Sequence, residues 1–263
     1  MAFDSAPATP VQPAASAMRD RNTFRLQPLR AARALRKLIA DKEDTSQVFE
    51  IMRALSGNTI VRGYRRLLST PQGGRLAYER EEFCERLSDT AWLNTFGPGT
   101  VGEAYRNFIA PRGLTAEGLA EESRKTAEGE IDAPHPFAWY GRRMRDVHDV
   151  WHVLTGYSTD GLGEACVVAF SYSQTKSLGF ALIAHAGAYQ YQKIGNGYPY
   201  RKAVMEAFRN GKAAAWLPEV DYVKLFGENL EAARERLNIK PATIYQSIPA
   251  DQRDRPLTRK FDA

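Results

Sequence analysis

His148, Asp149 and His152 lie within five consecutive residues, and Glu164 follows twelve positions after His152. On a helix, about 100° per residue places His148 and His152 roughly 40° apart and one turn apart, on one face. Asp149 is about 60° from His152 by the same arithmetic and can lean into the same site. Gly156 and Asp160-Gly161-Leu162-Gly163 predict a tight reversal between two helices, which brings Glu164 opposite the imidazoles. Two neutral nitrogens and two carboxylates form a mixed donor set for a divalent cation such as zinc, manganese or iron. The negative end of the first helix favours a cation further. A His-x-x-x-His pair also occurs as ordinary packing or surface residues, and Glu164 in a first helical turn can simply complement the helix dipole.

Other catalytic templates fit less well. A zincin needs His-Glu-x-x-His, and Asp149 is one methylene short. Di-iron bundles use two Glu-x-x-His copies, and only one Asp149-x-x-His152 exists here. Metal-dependent phosphohydrolases add an upstream His and a downstream Asp on helices, whereas His135 sits between Pro134 and Pro136. No nucleotide-binding glycine loop and no Gly-x-Ser-x-Gly elbow occurs. His135 reads as a loop residue and His185 as a satisfied core histidine.

The elements that must position these residues read as helices throughout. Pro28–Ala40 is a basic amphipathic helix with proline at a first helical position. Asp44 with Gln47, and Thr100 with Glu103, resemble capping boxes. Further helices are expected at 59–68, 79–94, 137–154, 162–174, 177–193, 200–209 and 229–237, with no alternating strand run. The expectation is an all-α, single multi-helix domain of eight to ten helices, with the metal site at a helix–turn–helix junction. Residues 1–22, rich in Ala, Pro and Ser, read as a disordered tail. The domain is placed at 23–240 and a C-terminal extension at 241–263, with the stretch from Ala250 loosely held.

The chain has 263 residues, two cysteines and a net charge of +5. Two cysteines exclude a disulfide scaffold and a multi-cysteine zinc module. The stretch Arg19–Arg80 holds 14 Lys/Arg against 6 Asp/Glu, a net charge of +8. Arg25, Arg30, Arg33, Arg36 and Lys37, then Arg62, Arg65 and Arg66, then Arg142, Arg143 and Arg145 predict a face for an anionic membrane surface, with an ordinary solvated face as the alternative. No nucleic-acid signature is present. No stretch approaches the roughly 18–20 apolar residues that span a bilayer. The small residues of 178–191 suit either an apolar groove or close helix packing.

Thr155-Gly156-Tyr157 directly after His148-Asp149-x-x-His152, with Glu164 after eleven intervening residues, resembles the signature of the Coq-four family of ubiquinone (coenzyme Q) biosynthesis proteins. Lys42-Glu43-Asp44-Thr45 with Val48-Phe49, Gly97-Pro98-Gly99-Thr100-x-Gly102 and Ala214-Ala215-Trp216-Leu217 are similar to further family blocks in the same order. The resemblance covers about 25–240. It implies an all-α fold and a divalent metal, zinc first with manganese, iron, cobalt or magnesium as alternatives, held by His148, Asp149, His152 and Glu164. It implies oxidative decarboxylation of a polyprenylated hydroxybenzoate-type substrate, replacing the ring carboxyl with hydroxyl, with the same four residues as the catalytic set. The alternative is a non-catalytic prenyl-lipid-binding scaffold organising the biosynthetic enzymes. Expected partners are the membrane surface, other ubiquinone biosynthesis proteins and a homodimer mate, with no nucleic acid. The expected place is the cytoplasmic side of a bacterial inner membrane, peripherally, or the mitochondrial inner membrane in a eukaryote.

Overall fold

Several helices begin where a short polar side chain can accept an otherwise unpaired first-turn N–H. Thr70 accepts from Gly73, Asp89 from Trp92, Thr100 from Glu103, Asp160 from Gly163, and Asn229 from Glu231 and Ala232. The computed structural model describes residues 25–254, except 42–43, 114, 128–132 and 195. Both the expected tail at 1–22 and the Lys42-Glu43 block therefore lie outside the described residues.

In chain order the helices are α1 (Pro28–Ala40), α2 (Thr45–Leu55), α3 (Thr59–Leu67), α4 (Pro71–Glu79), α5 (Phe83–Ser88) and α6 (Thr90–Leu93). There follow α7 (Val101–Ile109), α8 (Ala116–Ala127), α9 (Pro136–Asp146), α10 (His148–Thr155), α11 (Gly161–Thr175), α12 (Leu178–Lys193) and α13 (Tyr200–Ala213). Short segments complete the fold: α14 (Tyr222–Leu225), α15 (Leu230–Arg236), α16 (Thr243–Gln246) and α17 (Ala250–Arg253). The described residues contain no strand, only an isolated bridge between Thr100 and Asn229. The architecture is all-α and single-domain.

Helix α11 is the axis. It is apolar almost all round, with Leu162, Cys166, Val167 and Phe170 fully buried, as a helix enclosed by others must be. It packs chiefly on α12 and α13. Gly211 lets α13 approach α11 closely, since a Cβ there would lie 2.6 Å from the carbonyl oxygen of Phe170. A second cluster joins Leu67, Leu76, Trp139, Tyr140 and Trp216, and a third joins Ala31 and Ala34 of α1 to Ile51, Ala54 and Leu55 of α2.

Seventeen α-helical segments stand among the described residues, against the eight to ten expected. Short segments and two breaks account for the excess. Arg80 turns left-handed (φ +47°) after α4, and Asp89 caps α6, so 79–94 is three pieces. The helix expected at 137–154 bends at Val147 (φ −83°, ψ −2°) into α9 and α10. The hydrogen bonds Val147 N to Arg143 O and Trp151 N to Val147 O carry the ladder across the bend, so the apolar period passes through without a signal. The chain after Pro241 packs on the core, with Tyr245 and Ile248 at most 1% exposed.

The arginines before the metal motif are not a surface set. Arg143 is buried, giving Nε to the Pro218 carbonyl and Nη2 to that of Val220, with its guanidinium over the Tyr222 ring. Arg145 is buried too, and Arg142 pairs with Glu82. Aromatic rings and backbone carbonyls of the 216–222 segment supply what solvent was expected to supply. His185 is also corrected: it lies on an exposed face of α12 and not in the core.

Candidate metal centre

Gly156 ends α10 in the left-handed conformation (φ +76°), its N–H bonded to the His152 carbonyl. Asp160 caps α11 four residues later. The reversal is so tight that a Cβ on Gly163 would lie 2.0 Å from the Ser158 carbonyl oxygen. This turn brings Glu164 in the first turn of α11 to the two imidazoles of α10.

His148 Nε2 and His152 Nε2 are 3.3 Å apart. A Glu164 carboxylate oxygen lies 3.4 Å from His152 Nε2, and its other oxygen lies 3.6 Å from His148 Nε2. His152 Nδ1 stands 3.0 Å from the Tyr157 carbonyl. A carbonyl can only accept, so Nδ1 carries the proton and Nε2 offers its lone pair to the cluster. Tetrahedral ligands at about 2.05 Å from a zinc ion are separated by roughly 3.3–3.4 Å. The His148–His152 and His152–Glu164 spacings match that edge, and the His148–Glu164 spacing, made to the other carboxylate oxygen, is longer; with one Glu164 oxygen turned inward the residues fit a four-coordinate divalent ion with a position left open. Asp149 is not in this tight trio, but it lines the same cavity.

Electrostatics make Glu164 ready as a ligand and set His152 between a proton and a cation. Burial works to raise the Glu164 carboxyl, but facing His152 and His148 holds it well below the usual carboxylate range. Burial works to lower His152, and the carboxylates of Glu164 and Asp149 outweigh it, so the imidazole titrates above its ordinary value. Glu164 is thus ionised at any physiological pH.

Residues distant in sequence hold the site. The Phe108 ring stacks on His152, with centroids 5.4 Å apart. The Tyr245 hydroxyl donates to the Asp160 carboxylate and accepts from Ser158 N. Arg234 caps the C-terminal end of α10, its Nε and Nη2 each 2.9 Å from the carbonyls of Leu154 and Val153. Replacing Arg234 with methionine strands those two acceptors. The expected cost is about 1–3 kcal/mol, read as a lowered Tm in a thermal melt. None of the three had a local signal; each is a single residue 44 to 87 positions from the residue it holds, recognisable only once the chain is folded. His135, by contrast, sits outside the cluster as the cap of α9, its Nδ1 accepting from Phe137 N.

His148 and Glu164, with Asp149, line a cavity of about 920 Å³, and the buried His152 stands behind them; the volume is near the top of the range for small-molecule sites. Its walls are mostly apolar: Leu35, Leu38 and Ile39 of α1, Val48, Phe49 and Met52 of α2, Phe137 and Met144 of α9, and Phe180, Ile183 and Ala186 of α12. Helix α12 serves both uses expected of its small residues. Gly179 packs against Met52, where a Cβ would lie 2.7 Å from the sulfur, while Ala186 and Gly187 face the cavity.

Fold and site together define a helical protein with a candidate divalent-metal centre in the wall of a large apolar cavity. The family model described as Coenzyme Q (ubiquinone) biosynthesis protein Coq4 matches residues 22–243, and the chain belongs to that family. Relatives include a zebrafish (Danio rerio) mitochondrial ubiquinone biosynthesis protein COQ4 homolog, 27% identical over 192 residues, covering 72% of this chain and 68% of that one. The rat (Rattus norvegicus) homolog is 27% identical over 171 residues, covering 65% and 62%. A Neurospora crassa protein, coq-4, is 25% identical over 197 residues, covering 74% and 54%. The chain thus spans between about half and two thirds of the length of these curated relatives. A crystal structure of a candidate ubiquinone biosynthesis protein from Nostoc punctiforme superposes with a TM-score of 0.57 at 19% identity, covering 82% of this chain and all of that one, which shows the shared fold.

Proposed function

We propose that the protein binds a polyprenylated, carboxylated aromatic precursor of ubiquinone and replaces the ring carboxyl with hydroxyl. The observation that carries this reading is a His-His-Glu trio of which His148 and Glu164 line a 920 Å³, mostly apolar cavity. The apolar walls suit an isoprenoid tail, and the trio suits a polar aromatic head. His148, His152 and Glu164 would hold a divalent ion, zinc first, with Asp149 beside them as a fourth group. When bound, the ion supplies a positive centre for the negative charge that develops as carbon dioxide leaves. His152 keeps its proton on Nδ1 against Tyr157, Glu164 stays ionised, and the apolar walls exclude water from the head. Overall the ring–carboxyl bond breaks and a ring–oxygen bond forms. With dioxygen as oxidant, one oxygen atom enters the ring, and the other leaves as water with two protons and two electrons from an external donor.

The test is purified protein with a prenylated hydroxybenzoate, divalent metal, dioxygen and a reductant. Release of carbon dioxide with formation of the hydroxylated ring supports the reading; no product under zinc, manganese, iron or cobalt leaves a lipid-binding scaffold. A second test addresses the cavity. Ala186→Trp fills it from α12, and prenylated ligand is expected to bind at least about 10-fold more weakly while metal content stays unchanged, since one blocked apolar contact region is worth 1.4 kcal/mol or more.

The substrate's tail lives in a bilayer, and no helix among the described residues is long and apolar enough to cross one. Leu26 and Leu29 are 49% and 74% exposed beside the exposed Arg25, Arg33 and Arg36. We read this end of α1 as a peripheral membrane contact, alongside other ubiquinone biosynthesis proteins as partners. Flotation with anionic liposomes is expected at low salt and to fall as salt rises; absence of binding at low salt refutes it.

A further inference from the structure

Helix α7 runs on into a single 3-10 turn, Ala110–Arg112, which contains Pro111 and is stopped by Gly113 in the left-handed conformation (φ +60°). The turn folds the exposed Arg112 back over Phe108. Its guanidinium lies 4.3 Å from the centre of the Phe108 ring, and Nη1 donates to the Phe108 carbonyl. Nε donates to the Thr159 hydroxyl at 3.1 Å, and Nη2 to the Ser158 hydroxyl at 3.3 Å. Among the described residues its hydrogen bonds thus run to the end of α7 and to the turn between α10 and α11. Arg112 stands outside the cavity lining, although its neighbour Gly113 and its partner Thr159 belong to it.

We propose that Arg112 is a positioning residue of the metal centre, holding His152 through the Phe108 ring and Glu164 through the Ser158–Thr159 turn. The proposal rests on the metal reading of the trio and not on the reaction. Two paths lead from the one guanidinium to the ligands. The first runs through Phe108, whose ring stacks on His152. The Tyr157 carbonyl fixes the tautomer of His152 through one hydrogen bond, and an imidazole held by one bond can still tilt about it. A ring against its face limits the tilt, and the cation over Phe108 steadies that ring in turn. The second path runs through Ser158, whose carbonyl meets Gly163, the residue before Glu164. The Tyr245 hydroxyl already takes the Ser158 N–H, and Arg112 takes the hydroxyls of Ser158 and Thr159. A planar guanidinium spans the three acceptors at once, and an ammonium does not. Ligands keep their geometry when the groups behind them are themselves locked. Arg112 touches no ligand of the trio, so its effect reaches the metal through these contacts.

The experiment uses the full chain and measures zinc affinity by competition with a chromophoric chelator, beside melts of the metal-free protein. Arg112→Gln is expected to bind zinc about 10-fold more weakly than wild type, the lower end of the range for groups behind a metal ligand. Arg112→Lys keeps the charge and loses the fork, and its affinity is expected to stay below wild type as well. Arg106→Gln is the control. Arg106 lies in the same helix and gives Nη1 to the Leu93 carbonyl, so its loss disturbs α7 away from the trio and should leave zinc affinity as it is. Unchanged affinity in Arg112→Gln overturns the proposal, even where its metal-free melt falls, and leaves the metal reading standing. An equal loss in Arg106→Gln makes the effect one of general stability and overturns it too. Full affinity in Arg112→Lys shows that charge alone acts and overturns the fork. Absence of zinc binding by wild type overturns the metal reading and this proposal together. Should Arg112→Gln fail to fold, Arg112→Lys decides in its place, with undiminished affinity as the overturning result.

Discussion

With His152 replaced by alanine, the divalent metal proposed for this site is expected to fall from about one ion per chain to almost none, and the proposed carbon dioxide release to be lost with it. His152 contributes the one fully buried nitrogen of the trio, its tautomer fixed by the Tyr157 carbonyl. Loss of a group that merely orients a ligand costs about 10–100-fold in metal affinity, so loss of the ligand itself exceeds that. His148→Ala, at a half-buried position, makes the same point with less disturbance of the core. Metal analysis after purification without chelators measures both; a full complement of metal in either variant sinks the proposed site.

The same residues predict a pH signature that changes with metal. Without metal, His152 titrates above its ordinary 6.5, burial being outweighed by Glu164 and Asp149. Its contribution to stability is therefore complete below about 6.5 and lost as pH rises through the raised value. Glu164 titrates below its ordinary 4.5, burial being outweighed by His152 and His148, so its contribution is present above 4.5 and lost as pH falls further. The metal-free protein draws most from the pair between those limits. Bound metal needs deprotonated imidazoles and competes with protons, so the metal-loaded protein is expected to gain in Tm from pH 6 to 8 where the chelated protein declines. Parallel melts with and without chelator measure the divergence.

Gly163→Ala is expected to be the most damaging change outside the trio. Its new methyl would lie 2.0 Å from the Ser158 carbonyl oxygen and 2.8 Å from the carbonyl carbon. Backbone on both sides leaves no flexible side chain to yield, so the reversal between α10 and α11 must open. An estimate of about 2–4 kcal/mol follows from overpacking a rigid site, and Glu164, the next residue, is carried away from the imidazoles. Thermal melts and metal content should fall together. Gly74→Ala is the control, because a Cβ there meets nothing within 4 Å inside α4, and it should be neutral or stabilising.

The convergence of His148, His152 and Glu164 was legible because helical period and one tight turn place them, and both are local properties of the sequence. Thr100 and Glu103 were legible for the same reason: Thr100 accepts from Glu103 N, although the Glu103 carboxylate reaches back to Gly99 N. Asp44 and Gln47 bond to each other through their side chains. The bend at Val147 was illegible because it conserves the ladder. The burial of Arg143 and Arg145, the exposure of His185, and the roles of Phe108, Arg234 and Tyr245 depend on segments that meet only after folding, and charge or size alone carries no record of the neighbour.

Tyr245 also sets a clock. Its bond to Asp160 spans 85 residues, and synthesis adds about 5–20 residues per second. The ligands of the trio thus leave the ribosome roughly 4–17 s before the side chain that braces their turn. Over that interval the nascent chain holds a histidine pair and a glutamate without their final brace, so the candidate site is completed only at the end of translation, and a chain stalled before α16 would present the three residues in an unsecured turn.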